Sequence, residues 1–248
     1  MRKMAFVTGL LAALAVVLAA VGALCGAAVS LARDEKTYSE DSRAAVMEAM
    51  GLTSPEAVTA YIGMDEAQQA ELAAELAAQM AGEPERTVTA EQLSESERQH
   101  LRDVQKLVSL GDSVSKGCVS LAAALAVVVA WTGTGLVRRR WTIAKGALCG
   151  VLAAALMAGA AALAVRAGGF EAVFVRLHEL AFDNTLWLMN PQTELLIRMM
   201  PQLLFERLAV SMLGRAGAAL AGILAMLALV TELVGGMIAR HLSEEKQA

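Results

Sequence analysis

Four long apolar segments constrain the fold of this chain more than any other feature. They span residues 4–32, 117–137, 146–165 and 208–238. A helix of roughly 20 apolar residues is enough to cross a bilayer, and each segment is about that long or longer. The chain is 56% hydrophobic with a mean hydropathy of +0.52, which is too apolar for an ordinary water-soluble domain. The sequence therefore predicts an all-α polytopic membrane protein with four transmembrane helices.

The first apolar segment has one alternative explanation, a cleaved secretory signal peptide. Arg2 and Lys3 precede it, as the basic start of a signal peptide would. The apolar part of a signal peptide is usually about 7–15 residues long, and this segment is much longer. We therefore predict that it stays in the protein as an uncleaved membrane anchor.

The more polar segments define the rest of the organisation. The predicted order is transmembrane helix 1 (1–32), a small extracytoplasmic helical domain (33–106), transmembrane helix 2 (107–137), a basic cytoplasmic loop (138–145), transmembrane helix 3 (146–166), an outer-leaflet segment (167–208), transmembrane helix 4 (209–239) and a cytoplasmic tail (240–248). The N-terminus, the short loop and the tail carry Lys and Arg close to the ends of the spans, and they alternate with two segments in which acidic residues outnumber basic ones. Because basic loops stay on the cytoplasmic side, both termini are predicted to be cytoplasmic.

The domain at 33–106 is rich in helix-forming residues. Its size is too small for a large core, so we expect its apolar face to rest on the bilayer or on the transmembrane bundle. One helix is predicted to run from this domain into the second span. The helix start and stop signals are Ser54 or Thr53 ahead of Pro55, then Gly82-Glu83-Pro84, then Thr89 or Ser94.

The stretch 170–208 combines many large apolar side chains with polar ones. A simple span should not hold so many polar groups, and a solvated loop should not hold so much Leu, Met, Phe and Trp. We predict that it lies on the membrane surface or enters the membrane as a re-entrant hairpin, with its polar groups turned toward a site. Those groups include His178, Asp183, Asn184 and Arg198.

Two of the three histidines are candidates for chemistry. On a helix, His100 and Asp103 share a face, so Asp103 could orient the imidazole and stabilise its charged form. The alternative is a solvated polar helix face. His178 shares a helical face with Phe174 and Phe182, which would surround it with aromatic rings. Its alternative is a surface-lying amphipathic helix.

A zinc site is disfavoured by the ligand pattern. His178 and Glu179 begin an HExxH motif, but Phe182 stands where the second histidine is required. Two histidines without a Cys or carboxylate cluster are a poor zinc site, although Asp183 or Asp103 could add a third ligand. We predict no metal and no other cofactor. The chain also carries no GxSxG, Walker or GxGxxG motif, and nothing in it indicates a nucleic-acid partner.

The pentapeptide GALCG occurs twice, at 22–26 and at 146–150. Small residues four apart allow helices to approach closely, so we predict a packing role for both copies. The three cysteines lie in apolar segments without a CxxC pair, and we expect them to behave as small hydrophobic residues.

Three motifs point to a known family. They are E-x-x-H-L-R-D-V at 97–104, HELAFDNTLWLMNP at 178–191 and TELLIRMMPQLLFE at 193–206. Together with the four spans, they resemble the lipoprotein intramolecular transacylase family. The resemblance extends from the first span through the fourth, whereas residues 33–91 match only in general shape.

The resemblance implies an acyltransferase of the bacterial cytoplasmic membrane, with its active site facing the outer leaflet. Such an enzyme moves the sn-2 acyl chain of a diacylglyceryl-cysteine lipoprotein to the α-amine of the same cysteine, giving the lyso form. Diacylglyceryl-cysteine lipoproteins and membrane lipids would be its partners, and His100 and His178 would be catalytic. The expected supporting or oxyanion residues are Asp103, Asp183, Asn184 and Arg198, and the expected acyl-lining residues are Phe182, Trp187 and Pro191.

The residues alone leave alternatives open. A non-enzymatic membrane scaffold with an extracytoplasmic binding domain predicts the same topology. A transporter component is a further alternative, because Asp112, Lys116, Arg215 and Glu232 lie near the ends of spans. Within the transacylase hypothesis, either histidine could be the base and the other the acid, with or without an acyl-enzyme and in any oligomeric state.

Overall fold

The structure is a computed structural model that describes residues 2–83, 88, 91, 93–133 and 139–245. Within these residues all regular structure is helical, which confirms the predicted class. The helices are α1 (Arg2–Ala32), α2 (Glu35–Tyr38), α3 (Glu40–Ala49), α4 (Pro55–Ile62), α5 (Glu66–Ala81), α6 (Glu95–Gly133), α7 (Arg139–Ala181), α8 (Leu195–Met199) and α9 (Gln202–Glu245).

Among the described residues, four helices are long and apolar enough to cross a membrane. The qualifying segments are Arg2–Ala32, Glu95–Gly133, Arg140–Leu163 and Gln202–Ile238. The prediction of four transmembrane helices is confirmed. The end of the predicted second span, Arg138 and Lys246 lie outside the described residues. Helix α7 begins at Arg139, and so most of the stretch 138–145 is helical instead of forming a separate loop.

One compact unit consists of parts of the four long helices. The GALCG glycines lie at helix contacts in this unit. A Cβ atom at Gly22 would come within 2.8 Å of the Val119 side chain, and one at Gly146 would overlap the backbone of Gly9. Only glycine permits these approaches, so the predicted packing role of both copies is confirmed. The segments of this unit are Met1–Gly26, Ser113–Leu163 and Gly214–Ala248.

A second compact unit consists of Ala27–Asp112 and Ala164–Leu213. Its helix ends follow the local sequence signals. Ser54 caps α4 by accepting a backbone N–H at 3.3 Å, and Ser94 caps α6 in the same way at 3.2 Å. Gly82 ends α5 with a left-handed φ of 82°. These predicted signals are confirmed, whereas Pro84 and Thr89 lie outside the described residues.

The second unit has a hydrophobic core of its own. Helices α4 and α5 contribute Ile62, Leu72 and Leu76, and α8 contributes Leu195 and Met199, all of them fully buried. That the apolar face of the helical domain rests on the bilayer or on the transmembrane bundle stays a prediction. The prediction that the domain would be too small for a large core is wrong. The reason is that α8, far along the chain, supplies apolar side chains that the segment 33–106 lacks.

Helix α7 has a kink at Gly169, whose φ of 79° and ψ of 161° fall in a region that is essentially restricted to glycine. The kink separates the apolar part of α7 from residues 170–181, which carry His178. A loop at 182–194 follows, and it leads into α8 and then α9. The stretch 170–208 therefore consists of the end of α7, this loop, α8 and the first turns of α9.

Charged groups near the ends of the apolar segments form ion pairs. In the second unit Arg33 Nη2 lies 3.2 Å from Asp112 Oδ2, and in the first unit Arg140 Nη2 lies 3.3 Å from Glu232 Oε2. These contacts give Asp112 and Glu232 a structural role, which weakens the argument for a transport pathway.

Candidate active site

The two candidate histidines lie next to each other in the second unit. His100 is on α6 and His178 is in the last turn of α7. Their ring centroids are 6.2 Å apart, and the ring planes are inclined by 27°. At this separation both rings can contact atoms of one reacting group.

His178 is held by its own helix. Its Nδ1 lies 2.8 Å from the carbonyl oxygen of Phe174, one turn earlier. A carbonyl oxygen can only accept a hydrogen bond, so Nδ1 carries the proton and the neutral ring has its lone pair on Nε2. His178 is therefore equipped to accept a proton at Nε2.

His100 differs from His178 in the environment of its Nδ1 atom. It lies in the polar part of α6 that precedes the apolar residues of the span, and its Nδ1 is buried without a hydrogen-bond partner. The pKa of His100 is lowered from 6.5 to about 4, chiefly by burial and also by the neighbouring His178, while the charge of Asp103 partly opposes both. His100 is therefore neutral at physiological pH.

Aromatic side chains surround the pair. The ring of His178 lies 4.1 Å from Phe174, 5.2 Å from Trp187 and 5.6 Å from Phe182, measured between centroids. Phe182 also contacts His100 edge-on at 5.2 Å. The apolar rings partly cover the half-buried imidazoles and present a surface on which hydrocarbon can pack.

Asn184 organises the loop at 182–194. Its Nδ2 donates to Asp103 Oδ2 on α6 at 3.1 Å, and its Oδ1 accepts from the N–H of Leu186 at 3.1 Å. Its main-chain oxygen accepts from Trp187 Nε1 at 3.0 Å. The amide thus links the loop to the His100 helix and orients the indole beside His178.

Asp103 is hydrogen-bonded to Asn184 and not to His100. Its Oδ1 also accepts from Lys106 at 2.9 Å and from Gln99 at 3.3 Å. The bond from Lys106 contributes most to lowering the pKa of the Asp103 carboxyl, and the bonds from Asn184 and Gln99 add to it. Asp103 was expected to orient His100, but no direct hydrogen bond joins the two side chains, and their interaction is electrostatic.

Three candidate residues remain, namely Asp183, Pro191 and Arg198. Asp183 and Pro191 are exposed. The Nε of Arg198 on α8 is buried without a partner, and its Nη1 lies close to Gly63, where a Cβ atom would be 3.5 Å away. In the part of the chain that the structure describes, no group of three His, Cys, Asp or Glu side chains could hold a metal ion.

Sequence reasoning assigned no role to Phe205, or to Glu97 beyond its place in the motif at 97–104. Glu97 is fully buried one turn before His100, and Phe205 packs against Phe174 at 5.0 Å. The spacing of Ser94 and Glu97 is typical of a helix capping box, so a local role for Glu97 could have been predicted. Its contact with α8 could not, because that contact joins residues that are distant in sequence.

Comparisons with known proteins agree on one family. The family model described as "Lipoprotein intramolecular transacylase Lit" matches residues 42–205. Crystal structures of this membrane-integral enzyme from Bacillus cereus have the same fold. One has a TM-score of 0.66 at 16% identity, covering 94% of this chain and 98% of that one. A variant with a histidine replaced by alanine has a TM-score of 0.62 at 18% identity, covering 99% and 96%.

No curated protein sequence matches the chain significantly. The fold likeness alone does not assign an activity, since the identity is low. The family match does assign one, because it extends over well over half of the chain and includes both histidines. It favours an enzyme over the non-enzymatic scaffold. The protein therefore belongs to the lipoprotein intramolecular transacylase family and is a membrane-integral acyltransferase.

Proposed function

We propose that His100 and His178 are the catalytic pair of this transacylase. The substrate is a diacylglyceryl-cysteine lipoprotein, and its sn-2 acyl chain moves to the α-amine of the same cysteine. An amide bond forms, the ester bond to the glycerol breaks, and the proton leaving the amine ends on the glycerol oxygen. The observation that carries the proposal is the 6.2 Å separation of the two imidazoles, inside an aromatic cluster.

His178 is the base in this scheme. Its Nδ1–H donates to Phe174 O, which leaves Nε2 free to take the proton from the attacking amine. An α-amine has a pKa near 8, so a base of ordinary strength is sufficient. The imidazolium that forms keeps its bond to the carbonyl oxygen of Phe174. It then returns the proton to the secondary alkoxide as the ester bond breaks.

His100 is a neutral hydrogen-bond donor in the same scheme. With Nδ1 buried and unpartnered, the neutral ring is more stable with its proton on Nε2, because a buried lone pair costs less than a buried N–H. The Nε2–H group can donate to the ester carbonyl oxygen as it becomes an oxyanion. A neutral donor suits this role because it stabilises negative charge without losing its own proton.

Asp103 and Asn184 position the site. The Asn184 amide is engaged with Asp103 and with Leu186, so we assign it to holding the loop and not to the oxyanion. We assign Phe182, Trp187 and Pro191 to the surface on which the acyl chains pack. Arg198 and Asp183 remain candidates for contacts with the polar part of the substrate.

The intramolecular nature of the reaction supplies much of the rate. Ester and amine belong to one molecule, so holding them in contact converts the transfer into a unimolecular step. Proximity of this kind can contribute roughly 7–11 kcal/mol, and no acyl-enzyme is needed.

The site faces the outer leaflet, where the lipidated N-termini of lipoproteins lie. The distribution of Lys and Arg supports cytoplasmic termini and an outward position for residues 33–106 and 167–208. The mixture of aromatic, aliphatic and polar side chains at 170–208 suits a segment at the headgroup boundary, where membrane lipids would contact it.

The test is an assay with purified protein in lipid and a synthetic diacylglyceryl-cysteine lipopeptide, with acyl position read by tandem mass spectrometry. We expect the parent protein to give the N-acyl lyso product. His178→Asn keeps a donor toward Phe174 O but has no basic nitrogen, and should lose about 10²–10⁴-fold in turnover. His100→Ala should lose about 10²–10³-fold, as is typical of a missing oxyanion donor. Near-normal turnover in either variant would refute the assignment of that histidine.

A further inference from the structure

The mechanism above makes no use of Glu97, although this residue is the most unusual polar side chain of the second unit. Its relative exposure is 0%. Burying a carboxylate costs several kcal/mol unless it is paired or hydrogen-bonded. Among the described residues no Lys or Arg forms an ion pair with it, so main-chain N–H groups must compensate its charge.

Each oxygen of Glu97 accepts one main-chain hydrogen bond. Oε2 accepts from the N–H of Ser94 at 2.7 Å, and Ser94 Oγ in turn accepts from the N–H of Glu97. This pair is a capping box at the start of α6. Oε1 accepts from the N–H of Leu196 in α8, also at 2.7 Å. The same side chain thus caps the His100 helix and attaches it to α8.

The attachment lies on the His100 side of the helix. Residues three apart share a helical face, so Glu97 and His100 point in similar directions. A second tie lies one turn beyond His100, where Asp103 accepts from Asn184. The segment 184–196 is therefore joined to α6 on both sides of His100, through Asn184 in the loop and Leu196 in α8. This segment follows directly on the end of α7, which holds His178.

The two ties differ in strength. Asn184 is exposed, so water competes for its amide, whereas Asp103 is half-buried with 15% of its side chain exposed. The Glu97 bonds are buried and charge-assisted, and such bonds are stronger. A neighbouring contact reinforces them, since Glu194 accepts from Ser96 Oγ at 3.2 Å and from the N–H of Asn190 at 2.5 Å.

We propose that Glu97 is a positioning residue for the acyl transfer, whose carboxylate holds His100 in register with the segment that follows His178. The proposal rests on the catalytic roles proposed for the two histidines. Glu97 does not touch the substrate. It acts by keeping the donor nitrogen of His100 and the basic nitrogen of His178 aimed at one ester.

The test compares Glu97→Gln with Ser42→Ala in the full-length protein. The glutamine amide nearly preserves the shape of the side chain, but its NH₂ group faces a main-chain N–H and leaves it unpaired. Ser42 is the matched control, because its Oγ is buried and donates to Met199 O in α8 at 2.6 Å, whereas the Glu97 carboxylate accepts from both α8 and the start of α6. Both changes loosen α8, and only the first releases the His100 helix.

We expect Glu97→Gln to lower kcat about 100-fold with KM little changed, because small misplacements of reacting groups have effects of that size. Ser42→Ala should keep most of the parent kcat at a similar loss of thermal stability. We also expect the pKa of His100 in Glu97→Gln to move up from about 4 toward 6.5, since the ring loses burial. Glu97→Asp can keep only one of the two bonds, so its kcat should lie between those of the parent and Glu97→Gln. If Glu97→Gln does not fold, Glu97→Asp takes its place in the comparison with Ser42→Ala.

A parent-like kcat in Glu97→Gln overturns the inference. So does an equal loss of kcat in Ser42→Ala at equal stability, because the effect would then be general destabilisation. If His100→Ala and His178→Asn remain active, the proposed function fails together with this inference. If they are inactive while Glu97→Gln is fully active, this inference alone fails.

Discussion

The neutral state of His100 can be tested directly by replacing the ring that covers it. Phe182 lies edge-on to His100 at 5.2 Å, and burial is the largest cause of the low pKa of His100. Phe182→Ala should admit water and raise this pKa from about 4 toward 6.5. Phe182→Leu keeps an apolar side chain over the ring and should leave the pKa low.

The expected difference in protonation is large. At pH 6 an imidazole with a pKa of about 4 is about 1% protonated, whereas one with a pKa of 6.5 is about 75% protonated. In Phe182→Ala the neutral donor would therefore be mostly lost at pH 6, and turnover should fall on acidification at higher pH than in the parent. The low pKa of His100 also affects folding stability, and acid again has the unfavourable effect. The unfolded chain binds this proton below about pH 6.5 and the folded chain only near pH 4, so stability decreases as the pH falls through that window.

The measurement is an NMR titration of ¹⁵N-histidine-labelled protein in nanodiscs. The chain has three histidines, so each signal can be assigned from one substitution. A parent His100 that titrates near pH 6.5 would refute the reasoning. So would an unchanged His100 midpoint in Phe182→Ala.

Two further predictions concern packing. Gly146→Ala should destabilise the first unit by about 1–3 kcal/mol, because its Cβ would overlap the Gly9 backbone. Gly159→Ala has open space around the new Cβ and should be neutral. Thermal unfolding in detergent measures both variants, and equal melting temperatures would contradict the packing role. Trp187→Ala should raise KM for long-chain lipopeptides about 10-fold or more, because it removes an apolar surface beside His178. Trp187→Phe should have a smaller effect. KM is measured from turnover at a series of substrate concentrations, and a KM that is unchanged for every chain length would count against the prediction.

Local and compositional features were predictable from the sequence. The number of spans follows from the length of the apolar segments. Ser54 and Ser94 cap helices through their hydroxyl groups, and Gly82 ends α5 because it lacks a side chain. The pairing of His100 with His178 was reached from their predicted location on one side of the membrane and from the family resemblance. These inferences depend on short windows of sequence or on whole-segment composition.

Long-range contacts were not predictable. Leu195 and Met199 complete the core of the helical domain, although more than a hundred residues separate them from α5. Asp103 shares a helical face with His100, yet its hydrogen bond goes to Asn184 on the loop after α7. Helical periodicity shows which residues share a face, but it does not show which partner a distant segment brings to that face.

The bond between His178 and the carbonyl of Phe174 has a consequence for where this chemistry can operate. In many hydrolases the second nitrogen of the base is served by an aspartate, which brings a full negative charge close to the reaction. Here the peptide backbone serves that nitrogen with a dipole. In the proposed mechanism the base therefore needs no anionic neighbour of its own, and no carboxylate has to lose its hydration next to the acyl chains. Such a base can function at the edge of a lipid layer, where a conventional triad would be costly to install.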